Sequence, residues 1–159
     1  MEKTRSMKTT QLLSTIAAIA LAAAPLTVTA QDLLPISAEG GVMHSSDGTN
    51  AGGAVVTLHG VGVHVPLLSP QVSLAAPLTS GGGRYALTTE AALHVPATGL
   101  RAGVGAGVGR LNAPLRTGVL ADAFVTAPIA PHAGVSLRYY SGLNHYTGQA
   151  VFAGVAVHL

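Results

Sequence analysis

A chain of 159 residues that is 48% hydrophobic and 9% charged, with a mean hydropathy of +0.48, makes one domain at most. It lies far from soluble proteins, in which about a quarter of residues carry charge. After residue 30 there is no lysine, and there is no cysteine anywhere, which excludes a P-loop, a Schiff-base lysine, a lysine-rich nucleic-acid surface, a disulfide framework and a thiolate nucleophile. Five acids beyond that point (Asp32, Glu39, Asp47, Glu90, Asp122) balance five arginines (Arg84, Arg101, Arg110, Arg116, Arg138), and a soluble domain so poor in charge would stay dispersed badly.

Residues 1–30 read as an export signal. Lys3, Arg5 and Lys8 make the start basic, Leu12 to Leu26 is apolar and uncharged, and Val28-Thr29-Ala30 places the cut before Gln31. The rest of the chain does not read as helix. The charge-free stretch from Gly48 to Gly83 contains Pro66, Pro70, Pro77 and many glycines, and Tyr139 to Leu159 is broken at Ser141-Gly142 and Thr147-Gly148. Eight strands are predicted instead, over 34–45, 53–65, 71–79, 84–95, 100–111, 116–127, 132–142 and 149–159. They are 9–13 residues long, enough for a tilted strand to cross a bilayer, which takes about 9–11. Turn signals separate them: Ser46 to Asn50, Pro66 to Pro70, Ser80 to Gly83, Pro96 to Gly99, Asn112 to Pro114, Pro128 to Pro131 and Asn144 to Gly148. Each connection suits a hairpin. A weak repeat agrees, Val63-His64-Val65-Pro66 returning as Leu93-His94-Val95-Pro96. The expected fold is all-β, an eight-stranded antiparallel up-and-down transmembrane β-barrel whose closure removes the sheet edges.

Alternation assigns the faces, because successive side chains point to opposite sides. Tyr85, Leu87, Thr89, Ala91, Leu93 and Val95 form one face of 84–95; Ala86, Thr88, Glu90, Ala92 and His94 form the other. In 132–142, Val135, Leu137 and Tyr139 oppose Ser136, Arg138 and Tyr140. One face of each such strand is uncharged and the other carries the charges, as expected for lipid outside and a filled lumen inside. In 100–111, Arg101, Gly103, Gly105, Gly107 and Gly109 share the inner face, and this glycine stripe leaves room for long side chains from other strands. In 34–45, Ser37 and Glu39 share a face; in 53–65 both faces look apolar.

Counting outward from each turn puts Glu90 opposite Gly105, Gly105 opposite Asp122, Asp122 opposite Arg138, and Arg101 near His94. Glu90, Arg101, Asp122 and Arg138 are therefore the candidate polar layer of the lumen. Such a layer reads either as an ion path or acid pair, or as a satisfied polar plug, since small barrels are normally filled by side chains. His64, His94, His132 and His158 map to the end that holds the chain termini. They read as a metal rim or as amphipathic rings at a membrane boundary, and no ligand spacing supports the metal. His44, Ser45, Ser46 and Asp47, with Ser141, His145 and Tyr146, gather at the other end. They contain the ingredients of a serine hydrolase and equally those of any polar loop. No catalytic residue, metal site or cofactor is assigned, and five scattered arginines make no nucleic-acid surface.

The signal segment, eight alternating strands, inward charges, Leu137-Arg138-Tyr139-Tyr140-Ser141 before a short polar loop, and a final strand that ends the chain together resemble the small eight-stranded outer-membrane β-barrel proteins of bacteria. The resemblance covers residues 33–159. It implies termini on the periplasmic side, contact with outer-membrane lipids, insertion assisted by the barrel assembly machinery, and a monomer. The expected function is a non-enzymatic barrel with a largely filled lumen, in a structural or interaction role or as a very narrow pore. The alternatives are a soluble secreted or periplasmic β-sandwich that binds a ligand, and a lipid-modifying enzyme that uses Ser141 and His145.

Overall fold

The computed structural model describes residues 36–60, 68–78, 83–114 and 116–158. The export-signal segment and His64 lie outside these. Eight strands are present: β1 (Ile36–Ser45), β2 (Asn50–His59), β3 (Leu68–Pro77), β4 (Tyr85–His94), β5 (Arg101–Arg110), β6 (Gly118–Ala130), β7 (Ala133–Gly142) and β8 (Gln149–His158). Each pairs antiparallel with its sequence neighbour, and β8 pairs back onto β1 to close the barrel. Closure decides against the β-sandwich, which would leave two open sheets.

The alternation seen in the sequence becomes the wall. Val42, Val56, Leu74, Leu87, Val104, Val119, Val135 and Val155 point outward and are exposed. Glu39, Thr57, Ser73, Glu90, Asp122 and Arg138 point inward and are buried. Strand β2, whose faces looked alike in sequence, resolves cleanly: Val55 and Thr57 are fully buried, while Val56 and Leu58 are exposed.

Strand β2 ends at His59 rather than 65, and three further departures from the expected bounds bear on the pairing. Strands β2 and β3 begin three residues earlier than predicted, at Asn50 and Leu68. The cause in β2 is a tight turn. The Asp47 carboxylate accepts from the Thr49 amide at 3.0 Å, Gly48 supplies φ +85°, and pairing starts at once with His44↔Asn50. Pro70 then falls inside β3 rather than before it. Its nitrogen has no hydrogen to give, and it stands one step beyond the last β2–β3 pair, His59↔Gln71, where its carbonyl still accepts from the Gly60 amide at 2.9 Å and the ladder ends.

The third departure is β6, which runs on through Pro128 to Ala130 with a register shift between those two residues. The turn into β7 is therefore only Pro131-His132, and the pairing is two residues from the expected one. Asp122 faces Tyr140, and Phe124 faces Arg138. The predicted Asp122–Arg138 opposition is thus corrected. A shift of two keeps every side chain on its face, so both residues still point inward. The other expected pairs are found: Glu90↔Gly105, Gly105↔Asp122 and His94↔Arg101.

The glycine stripe of β5 is the thin part of the wall. A Cβ at Gly103 would strike the Phe124 ring, and one at Gly105 would strike the Asp122 carboxylate and the Thr89 carbonyl. Neighbouring strands lay large inward groups across this stripe, which any side chain there would displace.

Candidate functional site

Arg138 organises the centre of the lumen. It projects from β7 and is 2% exposed. Its Nε and Nη2 donate to Glu39 Oε1 at 3.1 and 2.7 Å, and its Nη1 donates to Glu90 Oε1 at 2.9 Å. Nη2 also reaches Thr57 Oγ1 at 3.3 Å, and the guanidinium lies 4.6 Å from the centre of the Phe124 ring. One planar cation thus ties β1, β2 and β4 to β7, with the forked geometry that favours arginine over lysine. Thr88 Oγ1 donates to Glu90 at 2.8 Å, Gln71 Nε2 donates to its other oxygen, and Thr57 and Ser73 share a hydrogen bond of 2.9 Å.

Arg101 lies one layer nearer the chain ends. Its Nη2 donates to His59 Nδ1 at 2.7 Å and to Gln71 Oε1 at 3.0 Å. His59 Nε2 meets Ser37 Oγ at 2.9 Å, and the His59 and His158 rings are 6.1 Å apart. Ser37, His59 and Gln71 (Nδ1 to Oε1, 3.0 Å) therefore stand in the order of a hydrolytic triad. Nδ1 thus faces both the arginine, which only donates, and the Gln71 carbonyl oxygen, which only accepts, so the two contacts call for opposite tautomers of the ring. The cleft lined by Ser37, Glu39, His59, Gln71, Arg101 and His158 has room for about one water.

Asp122 is 4% exposed, yet neither carboxylate oxygen meets a donor among the described residues; the same holds for the Tyr140 hydroxyl across the β6–β7 pair. Of the predicted layer, the structure thus joins Glu90 to Arg138 and places Arg101 one step away. Asp122 is left against Gly105 without an ion pair. Sequence reasoning missed Glu39, Thr57, His59 and Gln71. Glu39 and Ser37 share a face by alternation, but the partner of Glu39 lies 99 residues on, where no local pattern marks it.

Toward the hairpin loops the lumen turns apolar. Met43, Val55, Leu120, Tyr140 and Phe152, all at most 2% exposed, pack with Leu111 and the alanines at 75, 86 and 150. Tyr146 folds over them from the β7–β8 loop, and its hydroxyl accepts from the Leu111 amide at 2.5 Å. Asp47 fastens three loops: it accepts from Arg84 Nη2 at 2.7 Å, the Ala113 amide at 2.9 Å and the Thr49 amide. Partial burial pushes its carboxyl up, but these donors outweigh that and hold it well below the usual carboxylate range.

The other candidates of this end stay apart. Ser45 is buried, His44 pairs with Asn50 at 2.6 Å, Ser141 Oγ reaches only the neighbouring carbonyl of Gly142 at 3.5 Å, and His145 is exposed. At the opposite end His94 and His132 are exposed and His158 is half-buried. Among the described residues, no three metal-binding side chains converge.

No protein-family model matches the chain, and no curated protein sequence does. Solved structures do. A chain from work on the de novo design of transmembrane β-barrels aligns over 81% of this chain and 100% of its own, with a TM-score of 0.52 at 18% identity. The fold is that of a transmembrane β-barrel. Ail, the attachment invasion locus protein of Yersinia pestis, solved in complex with the heparin analogue sucrose octasulfate, aligns over 77% of this chain and 95% of its own, with a TM-score of 0.42 at 13% identity. The likeness at these identities is one of architecture.

Proposed function

We propose that the chain is an exported bacterial outer-membrane β-barrel with a sealed lumen, acting as a structural or interaction element rather than as a channel or an enzyme. The observation that carries this reading is the joint between the two fillings of the lumen. The Arg138–Glu39–Glu90 network abuts the layer of Met43, Leu120, Tyr140 and Phe152, and those groups are buried together. Hydrated ions cross such a section only if it opens. Charge-poor, largely apolar outward faces support lipid surroundings: exposed valines and leucines run around the wall, and exposed apolar area on this scale is a membrane or partner surface. Strands of ten residues match the bilayer core.

Two measurements test it together. On a denaturing gel, protein refolded in micelles should migrate differently before and after boiling. In planar bilayers the folded protein should give no discrete conductance steps. A monodisperse soluble fold without micelles would remove the membrane reading, and regular conductance steps would remove the sealed lumen. A lipid-modifying enzyme built on Ser37 and His59 is the alternative, and hydrolysis of a lipid ester that Ser37→Ala abolishes would establish that reading instead.

A further inference from the structure

All four described acids face away from the outer surface. Glu39, Glu90 and Asp122 are buried in the lumen, and Asp47 lies over its mouth against Arg84. Among the described residues, the formal charges left on the outside are Arg110 and Arg116, and both stand at the β5–β6 connection. We infer that this corner is a binding site for the phosphate of an anionic lipid headgroup in the leaflet on the loop side. The inference rests on the membrane reading above.

The geometry is prepared for an anion. Arg110 follows Gly109, which pairs with Gly118, so it stands opposite Thr117. Its Nε donates to Thr117 Oγ1 at 3.0 Å. Its guanidinium lies 6.0 Å from the ring centre of Tyr85, its partner across the β4–β5 pair. Tyr85 and Thr117 thus hold the guanidinium plane, and the terminal nitrogens remain for a phosphate, which arginine meets with two parallel bonds. Arg116 is exposed, and its side chain has no hydrogen bond or ion pair among the described residues. No carboxylate there reaches either arginine.

The level is right as well. One step down each strand stand Leu87, Val108 and Val119, all outward and exposed. Arg110 therefore sits where the apolar band ends, and Arg116 lies in the loop just beyond it. At that depth the abundant anion is the headgroup phosphate, and a tyrosine beside arginine is the side-chain pairing of a membrane interface.

The test is retention of lipid by the folded protein. The full chain is refolded in micelles containing equal phosphatidylglycerol and phosphatidylcholine, and native mass spectrometry counts the lipids each barrel keeps. The wild type should favour phosphatidylglycerol. Arg116→Gln should reduce that preference about fivefold, and adding Arg110→Gln should reduce it about fivefold again. If the double variant folds poorly, Arg116→Gln alone decides, because its exposed side chain has no hydrogen bond or ion pair among the described residues. An unchanged preference in folded variants overturns the site and leaves the barrel standing. Displacement of phosphatidylglycerol by millimolar inorganic phosphate overturns the lipid assignment in favour of a free anion. The absence of any boiling-dependent gel shift, in any lipid, overturns the membrane reading and the site with it.

Discussion

From His59 and Arg101 to Arg138, the half of the lumen nearer the chain ends is lined by groups that each need a partner in a set direction. From Met43 to Phe152 and Tyr146, the loop-side half is filled by groups that need only shape. Both halves are buried to the same degree and enclosed by the same strands. They differ in how damage spreads. Removing one member of a buried polar network strands the others, whereas trimming an apolar group leaves a hole into which neighbours relax.

The largest effect should come from Arg138→Leu. It strands two buried carboxylates, Glu39 and Glu90, and should lower stability toward the top of about 3–5 kcal/mol, measured by urea unfolding in micelles. Neutralising both acids in the same chain (Glu39→Gln with Glu90→Gln) should restore much of the loss; failure to do so would mean that packing of the arginine, not charge pairing, dominates. Phe152→Ala, in the apolar half, should cost about 3 kcal/mol in the same assay, and Phe152→Leu less than about 1.5 kcal/mol. Equal tolerance of conservative exchange in both halves would break the contrast.

Asp122→Asn should move stability the other way. Its oxygens meet no donor among the described residues, and an amide keeps the shape while offering hydrogens to its buried acceptors, so a gain of about 1 kcal/mol is expected in urea midpoints. A loss would show that Asp122 pairs with something in the folded lumen. The smallest effect belongs to the loops. Because the Asp47 carboxyl is held below its unfolded value near 3.9, its contribution is complete above that pH and is lost as acid titrates it in the fold. The thermal advantage of the wild type over Asp47→Asn should therefore be constant near neutrality and shrink below about pH 4. An advantage that grew on acidification would contradict the sign.

Much of this architecture could be read from the chain, and the misses have definite causes. The pairs Glu90↔Gly105 and Gly105↔Asp122 came from counting across clear turns. The β6–β7 register did not, because Pro128 suggested a turn and instead sits at an irregularity inside a longer strand. Asp122 and Arg138 stayed inside regardless, since a slip of two preserves the face. His59 and Thr57 were missed because small and apolar neighbours hide the alternation of β2. The two aromatics that pack against the glycine stripe and over the mouth, Phe124 and Tyr146, are placed by space that no single strand reveals.

The sequence by itself determined which side chains face in and which face out, the number of strands, and the concentration of charge inside. A period of two and a scarcity of charge leave few other arrangements. Partner choice was decided by the tertiary structure alone. Closure brings β1 beside β8, and the narrow lumen lets Arg138 reach across to Glu39 and Glu90 while Asp122, on the adjacent strand, is passed over. Which carboxylate wins the arginine depends on distances across a ring, and those exist only once the ring has closed.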